Sequence, residues 1–479
     1  MKSVKLICLL VSVLLLSLSS FKIQAQSNQQ QRSDSVFFAI KKYIDQRNTS
    51  LIYALGSEGY KKVVNEKNLS AFFEKEIYPL GIIKESSFDG LDKSISKYKL
   101  VFESGKLVLS FALDKENRFN SITFTPFKSV IFNKPVPVAS SNILKSVLDR
   151  QVDSVARQYI QKSNTVGLSI GILNNGVVQT YGYGEIEKGK GKLPDANTIF
   201  EIGSITKTFT ASILAYYVNA GKISLSDPIT KYLPDSLSAN PELKKIKIIN
   251  LSNHTSGLPS LPANFEYGGM DRLNPYKSYN EKMLFASLKT CKLRSVPGEV
   301  YAYSNQAVGL LGLILERVSG ETYEQLVQHV VTGPLKMSST CQQLTHLLSG
   351  RLVKVYDADG DETRPWDFDA LAACGCLRST VNDLLLYAKA NIKCESSSLS
   401  NAFGLSHQVT FSKGPVVGLG WHLYQVKDDK YYWHNGGTGG CRSFLIFNIE
   451  KKIAVAVISN AEVDVDDVAR GILKELRSS

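Results

Sequence analysis

The chain has 479 residues, 43 % hydrophobic and 21 % charged, with 56 Lys and Arg against 44 Asp and Glu. That balance excludes collagen-like, disordered and multi-span membrane classes. The length suggests two or three domains, and a formal charge of +12 describes a surface field that by itself names no fold.

Lys2 and Lys5 precede the apolar run 6–19, and the small residue Ala25 follows it. The run is shorter than the roughly 20 residues a membrane-spanning helix needs. A basic start, a short apolar core and a small exit residue predict a signal peptide over 1–25. Cleavage there implies a secreted or periplasmic chain with no transmembrane span. The cysteines beyond it, Cys291, Cys341, Cys374, Cys376, Cys394 and Cys441, permit disulfides in an oxidising compartment, and sequence does not choose their pairing. No Cys-x-x-Cys pair or Cys–His spacing appears, so neither a metal nor another cofactor is expected.

After a polar start at 26–33, apolar positions recur at helical spacing from Ser35 to about Gly81, beginning with Val36, Phe37, Ile40, Tyr43 and Ile44. Alternation then predicts three strands, 98–104, 106–114 and 118–127. Helices followed by a small antiparallel sheet make an α+β accessory domain over 34–127. In element order and size it resembles the cone-like, nuclear-transport-factor-like modules of secreted bacterial enzymes. That resemblance implies substrate positioning, dimerisation or anchoring. Pro135 and Pro137 discourage helix and strand alike and mark a linker over 128–142.

Residues 143–162 are helical in pattern. The runs 166–172 and 176–183 flank Asn174-Asn175-Gly176, a strong hairpin signal. The chain closes on strands at 430–434, 442–449 and 452–459 and an amphipathic helix at 464–477. Strands at both ends with helices between them predict one antiparallel sheet with an inserted helical region.

Three segments carry chemistry. In Glu201-Ile-Gly-Ser204-Ile-Thr-Lys207, the serine stands at a helix start with the lysine on the same face three residues later. A hydroxyl becomes a good nucleophile only when a base takes its proton, and a desolvated lysine can serve. Taken alone, Ser204 is equally a helix N-cap. In Tyr303-Ser304-Asn305, a tyrosine held near cations could relay a proton, and an amide could bind both Lys207 and a substrate carbonyl. Taken alone, this is a core tyrosine beside a capping residue. In Trp433-His434-Asn435-Gly436-Gly437, a strand ending in glycines admits close approach of a substrate backbone. The Gly437 N–H could join that of Ser204 as an oxyanion hole, with His434 a polar, at times cationic, neighbour. Taken alone, this is a glycine turn beside a surface histidine.

The three occur in that order, roughly 100 residues apart, with Leu251-Ser-Asn-His254-Thr-Ser-Gly-Leu258, Leu377-Arg-Ser-Thr380 and Gly418-Leu-Gly-Trp421 between them. Residues 145–479 thus resemble the serine β-lactamase-related superfamily, in its class C β-lactamase, DD-peptidase and esterase branch. The resemblance implies a β-lactamase/transpeptidase-like α+β domain over 143–479. It implies an acyl-enzyme on Ser204, Lys207 and Tyr303 as its general-base partners, and Asn305, His434, Gly436 and Gly437 as substrate-binding groups. The substrate class it implies is an amide, peptide or ester, including cell-wall components. The family's β-lactamases usually carry Lys-Thr-Gly where this chain has His434-Asn435-Gly436, which argues against efficient β-lactam turnover. In the family the His254 phrase is a structural turn, and Tyr267, Tyr276 and Trp366 are candidates to touch substrate. A catalytically weak penicillin-binding sensor is the alternative, and no basic-aromatic motif points to nucleic acid.

Overall fold

The structure is a computed structural model that describes residues 29–92, 94–126, 136–265, 271, 273–393 and 397–478. The signal peptide, most of the linker, Tyr267 and Cys394 lie outside those residues. The chain divides into two compact units at Lys128/Ser129.

The N-terminal unit begins with helix α1 (29–45), followed by α2 (Thr49–Ala54), α3 (Glu58–Val63) and α4 (Glu66–Phe72). The three short helices each open on a side-chain cap: Asn48, Ser57 and Asn65 accept the N–H of Leu51, Tyr60 and Asn68. Each cap satisfies a backbone donor that the first helical turn leaves free. A four-stranded antiparallel meander follows, β1 (Ile83–Asp92), β2 (Ile95–Phe102), β3 (Gly105–Leu113) and β4 (Phe119–Pro126). Ile40, Ile52, Phe73, Leu100, Leu109, Phe111 and Phe119 fill the space between helices and sheet. Alternation in the sequence finds β2 to β4 but not β1. That strand is an edge, mostly polar, and its register slips at Ile83/Glu85 and Phe88/Gly90. Bulges and polar side chains are what protect a sheet edge from further pairing, and they also erase the period-two signal.

In the C-terminal unit, α5 (Val147–Ile160) leads to the hairpin of β5 (Gly167–Asn174) and β6 (Val177–Gly184). Asn175 and Gly176 both take positive φ, 48° and 89°, which a two-residue turn matching strand twist requires. A short strand, β7 (Phe200–Glu201), runs into helix α6 (Thr206–Asn219). The helical region continues through α7 (Asp235–Ser238), α8 (Ile248–Ser252), α9 (Glu281–Thr290), α10 (Asn305–Ser319), α11 (Tyr323–Val327) and α12 (His346–Ser349). Strand β8 (Arg378–Ser379), which pairs with β7, precedes α13 (Val381–Ile392) and α14 (Ser398–Ser406). Strands β9 (Val416–Val417), β10 (His422–Val426), β11 (Asp429–Gly437), β12 (Arg442–Asn448) and β13 (Ile453–Ser459) then return to the sheet, and α15 (Asp466–Ser478) closes the chain.

The sheet has seven antiparallel strands in the order β6-β5-β13-β12-β11-β10-β9. Its central strands are buried on both faces. Phe444 and Ile446 of β12 pack with Val455 and Val457 of β13 and with residues of α5 and α15. Leu445, Phe447, Ala454 and Ala456, one residue out of phase, face the core shared with α6, α10 and α13. The site forms where the start of α6, the start of α10 and the end of β11 meet.

Candidate active site

Ser204 sits in a single 3-10 turn, Gly203–Ile205, directly before α6. Gly203 has φ +49°, and a Cβ there would come within 2.6 Å of the Gly437 nitrogen. The serine turn is therefore packed backbone to backbone against the end of β11. Gly436 is equally constrained, since a Cβ there would meet the Ile202 carbonyl at 2.0 Å.

Lys207, 1 % exposed, reaches back along α6 so that Nζ lies 2.9 Å from Ser204 Oγ. Two further acceptors surround Nζ: Asn305 Oδ1 at 2.7 Å and the Cys374 carbonyl at 2.6 Å. Both are acceptors only, so two protons of Nζ are committed to them whichever form the amine takes. The third tetrahedral position addresses Ser204. In the ammonium form it is an N–H, and in the amine form it is the lone pair.

Asn305 is the first residue of α10, whose N-cap is Ser304, accepting the Ala307 N–H at 3.0 Å. The asparagine is thus free of capping duty. Its Oδ1 holds Lys207 and its Nδ2 donates to the Tyr276 hydroxyl at 3.2 Å. Tyr276, one of the three aromatic candidates, is buried against Phe368 at 4.5 Å and Trp366 at 5.3 Å between ring centroids. Tyr303 presents its ring to Lys207, with Nζ 4.8 Å from the centroid. It lines a cleft of about 490 Å³ together with Ser204, Tyr301, His422, Asn435, Gly436 and Gly437, and Arg442, Asp464 and Asp466 complete the lining.

His434 departs from the expected role. It is 1 % exposed and is not among the residues that line the cleft. Burial first, then the charges of His422 and Lys207, hold its imidazole well below the ordinary histidine range, so it is neutral and not a cation beside the site. Its Nδ1 donates to the Asn435 carbonyl, and Nε2 has no partner among the described residues. The physical reason is register: His434 pairs with Leu445 in the buried centre of the sheet, and only the strand end beyond it opens to the cleft. His422, at the cleft wall, is pushed down to about 4 by burial and by Lys207. With both histidines neutral, Lys207 faces the Tyr303 ring and Arg442 lines the same cleft. Among the described residues, no three His, Cys, Asp or Glu converge as a metal site.

Glu201 is the residue whose role sequence reasoning missed. It is 3 % exposed and three positions before the nucleophile. One carboxylate oxygen accepts the Thr438 hydroxyl at 2.9 Å, and the other accepts the Trp366 N–H. The side chain so ties the serine turn to the residue following Gly437. Burial pushes its carboxyl up to about 7, against the opposing pull of Arg378 and its hydrogen bonds. An acid inside the apolar stretch Ile199-Phe200-Glu201-Ile202 was the available signal. The Cys374 carbonyl left none, because it is backbone. The described cysteines, Cys291, Cys341, Cys374, Cys376 and Cys441, are free thiols.

A serine addressed by a lysine one helical turn away, with a tyrosine on a second element and a glycine strand end across the cleft, defines a serine hydrolase. The comparisons agree with that class. The family described as Beta-lactamase matches residues 152–477. A β-lactamase of Pseudomonas fluorescens is 30 % identical over 346 residues, 64 % of this chain and 92 % of its own length. The D-alanyl-D-alanine-carboxypeptidase/endopeptidase AmpH of Escherichia coli K12 is 25 % identical over 351 residues, 67 % of this chain and 85 % of its own. Among solved structures, a class C β-lactamase superposes with a TM-score of 0.63 at 25 % identity, covering 70 % of this chain and 98 % of that one. The chain belongs to the β-lactamase family.

Proposed function

We propose that this protein is a secreted serine hydrolase that cleaves amide bonds of cell-wall peptides through an acyl-enzyme on Ser204, with slow turnover of β-lactams. The observation that carries the reading is the Lys207 Nζ, bound by Asn305 Oδ1 and the Cys374 carbonyl so that its remaining valence addresses Ser204 Oγ. The amine form of Lys207 takes the hydroxyl proton and becomes the ammonium, which faces the Tyr303 ring. The carbonyl oxygen turns negative between the N–H groups of Ser204 and Gly437. The Tyr303 hydroxyl gives its proton to the leaving amine and regains one from the Lys207 ammonium, and water releases the acyl group by the same steps reversed. The third box carries a buried, neutral His434 and Asn435 where the family's β-lactamases usually carry Lys and Thr, and Arg442 lines the cleft beside Gly437. The carboxypeptidase activity named for the AmpH relative argues for peptide substrates. The signal-like start supports export. The N-terminal unit, with 17 basic and 12 acidic residues over 26–143, is proposed to dock on acidic envelope polymers.

The test is a substrate panel on purified protein: a D-alanyl-D-alanine peptide, a chromogenic cephalosporin and a p-nitrophenyl ester. Release of D-alanine that exceeds cephalosporin turnover, and that vanishes in Ser204→Ala, supports the reading. Rapid cephalosporin turnover overturns the substrate assignment. No reaction with any of the three overturns the hydrolase mechanism.

A further inference from the structure

We propose that His254 is a positioning residue for Tyr303, holding the peptide groups on either side of it and the face of its ring. The inference rests on the proton-carrying role given to Tyr303 above. Three contacts converge. The His254 carbonyl accepts the Ala302 N–H at 2.8 Å. Its Nδ1 accepts the Ser304 N–H at 3.2 Å. Its ring lies 4.3 Å from that of Tyr303, centroid to centroid. The residues before and after the tyrosine are thus bonded to one side chain and its own backbone, and the tyrosine ring between them is packed on the same imidazole.

The residue type itself argues for this role. His254 has φ +60°, a left-handed conformation that glycine would adopt without strain. A turn needing only that backbone has no use for an imidazole. The side chain is 3 % exposed, and its Nε2 has no partner among the described residues. Because Nδ1 accepts a hydrogen bond, the ring proton is on Nε2, and a buried N–H is left unmatched at a cost. Lys207, His422, His434, Tyr301 and Tyr303 are titratable groups around it, and burial together with the charges of Lys207 and His422 keeps the ring neutral. A neutral ring preserves the Nδ1 acceptor, which protonation would destroy.

The experiment is a double-mutant cycle with His254→Ala, His254→Asn and Tyr303→Phe in the full chain. It reads the acylation rate by fluorescent penicillin, together with kcat and KM on a p-nitrophenyl ester. His254→Ala should slow acylation about 100-fold with KM little changed, as expected for a displaced catalytic group. Asparagine tolerates the left-handed backbone and can accept the Ser304 N–H, so His254→Asn should recover most of the loss. In the Tyr303→Phe background His254→Ala should cost nothing further. Equal acylation by wild type and His254→Ala, or losses that simply add, overturns the proposal. A wild type that takes no label and cleaves no ester instead overturns the hydrolase reading. The 19F spectrum of fluorotyrosine-labelled protein then decides on His254 separately. The Tyr303 resonance, assigned with Tyr303→Phe, should broaden or split in His254→Ala, and an unchanged resonance overturns the positioning role.

Discussion

Replacing Glu201 by glutamine should stabilise the catalytic unit at alkaline pH and leave it unchanged in acid. The carboxyl has an ordinary value of 4.5 and is pushed up to about 7 in the folded chain, chiefly by burial. The folded state therefore binds the proton more tightly than the unfolded state. Stability from this group is complete below about pH 4.5 and is lost as pH rises to about 7. A rise of that size corresponds to about 3 kcal/mol. Glutamine keeps the pairing available, because the Thr438 hydroxyl can turn to accept and the Trp366 N–H still finds an oxygen, but it carries no charge to bury. The difference in unfolding free energy between variant and wild type should grow by about 3 kcal/mol from pH 4.5 to pH 8. Taking the difference cancels the other carboxyls that burial raises, such as Asp466 and Asp383. Denaturant unfolding followed by tryptophan fluorescence is the assay. The three tryptophans, Trp366, Trp421 and Trp433, all lie in the C-terminal unit, so unfolding of the other unit does not enter the signal. Parallel pH curves for the two proteins would refute the reasoning, since they would mean that Glu201 ionises as it does in water.

Other perturbations test the site group by group. Tyr303→Phe should reduce ester turnover by about 10²–10⁴-fold with the fold intact by circular dichroism, and a smaller loss would move proton transfer to Lys207 alone. Asn305→Asp places a carboxylate on Lys207 Nζ and favours the ammonium form, so the rate–pH profile should move up by roughly 1–3 units, and an unmoved profile would count against Lys207 as a base. Gly203→Ala meets both a φ of +49° and the Gly437 nitrogen at 2.6 Å. It should cost about 1–3 kcal/mol in thermal unfolding and more in acylation than in ester binding.

The parts legible in the sequence are those with local physical causes. Lys207 is three residues from Ser204, and helical geometry alone brings the two within a hydrogen bond. Asn175-Gly176 names its turn because both residues tolerate positive φ. The strands β12 and β13 are apolar on both faces and could be read as buried. What stayed hidden depends on distant partners. Glu201 finds Thr438 across 237 positions, and nothing near either residue announces it. His434 looks like a surface histidine beside glycines until strand pairing places it opposite Leu445 in the sheet interior. The third ligand of Lys207 is a backbone carbonyl, and any residue at 374 would supply one. Strand β1 was lost because protection of its edge and the alternation that reveals a strand make opposite demands on the same ten residues.

The central claim is that chemistry passes through a covalent bond to Ser204. Quenched mass spectrometry of the intact chain after brief exposure to benzylpenicillin, followed by peptide mapping, tests it most directly. The account predicts one penicilloyl adduct per chain, located on the peptide containing Ser204, formed in wild type and absent from folded Ser204→Ala. An adduct on another residue, or one that persists in Ser204→Ala, would contradict it.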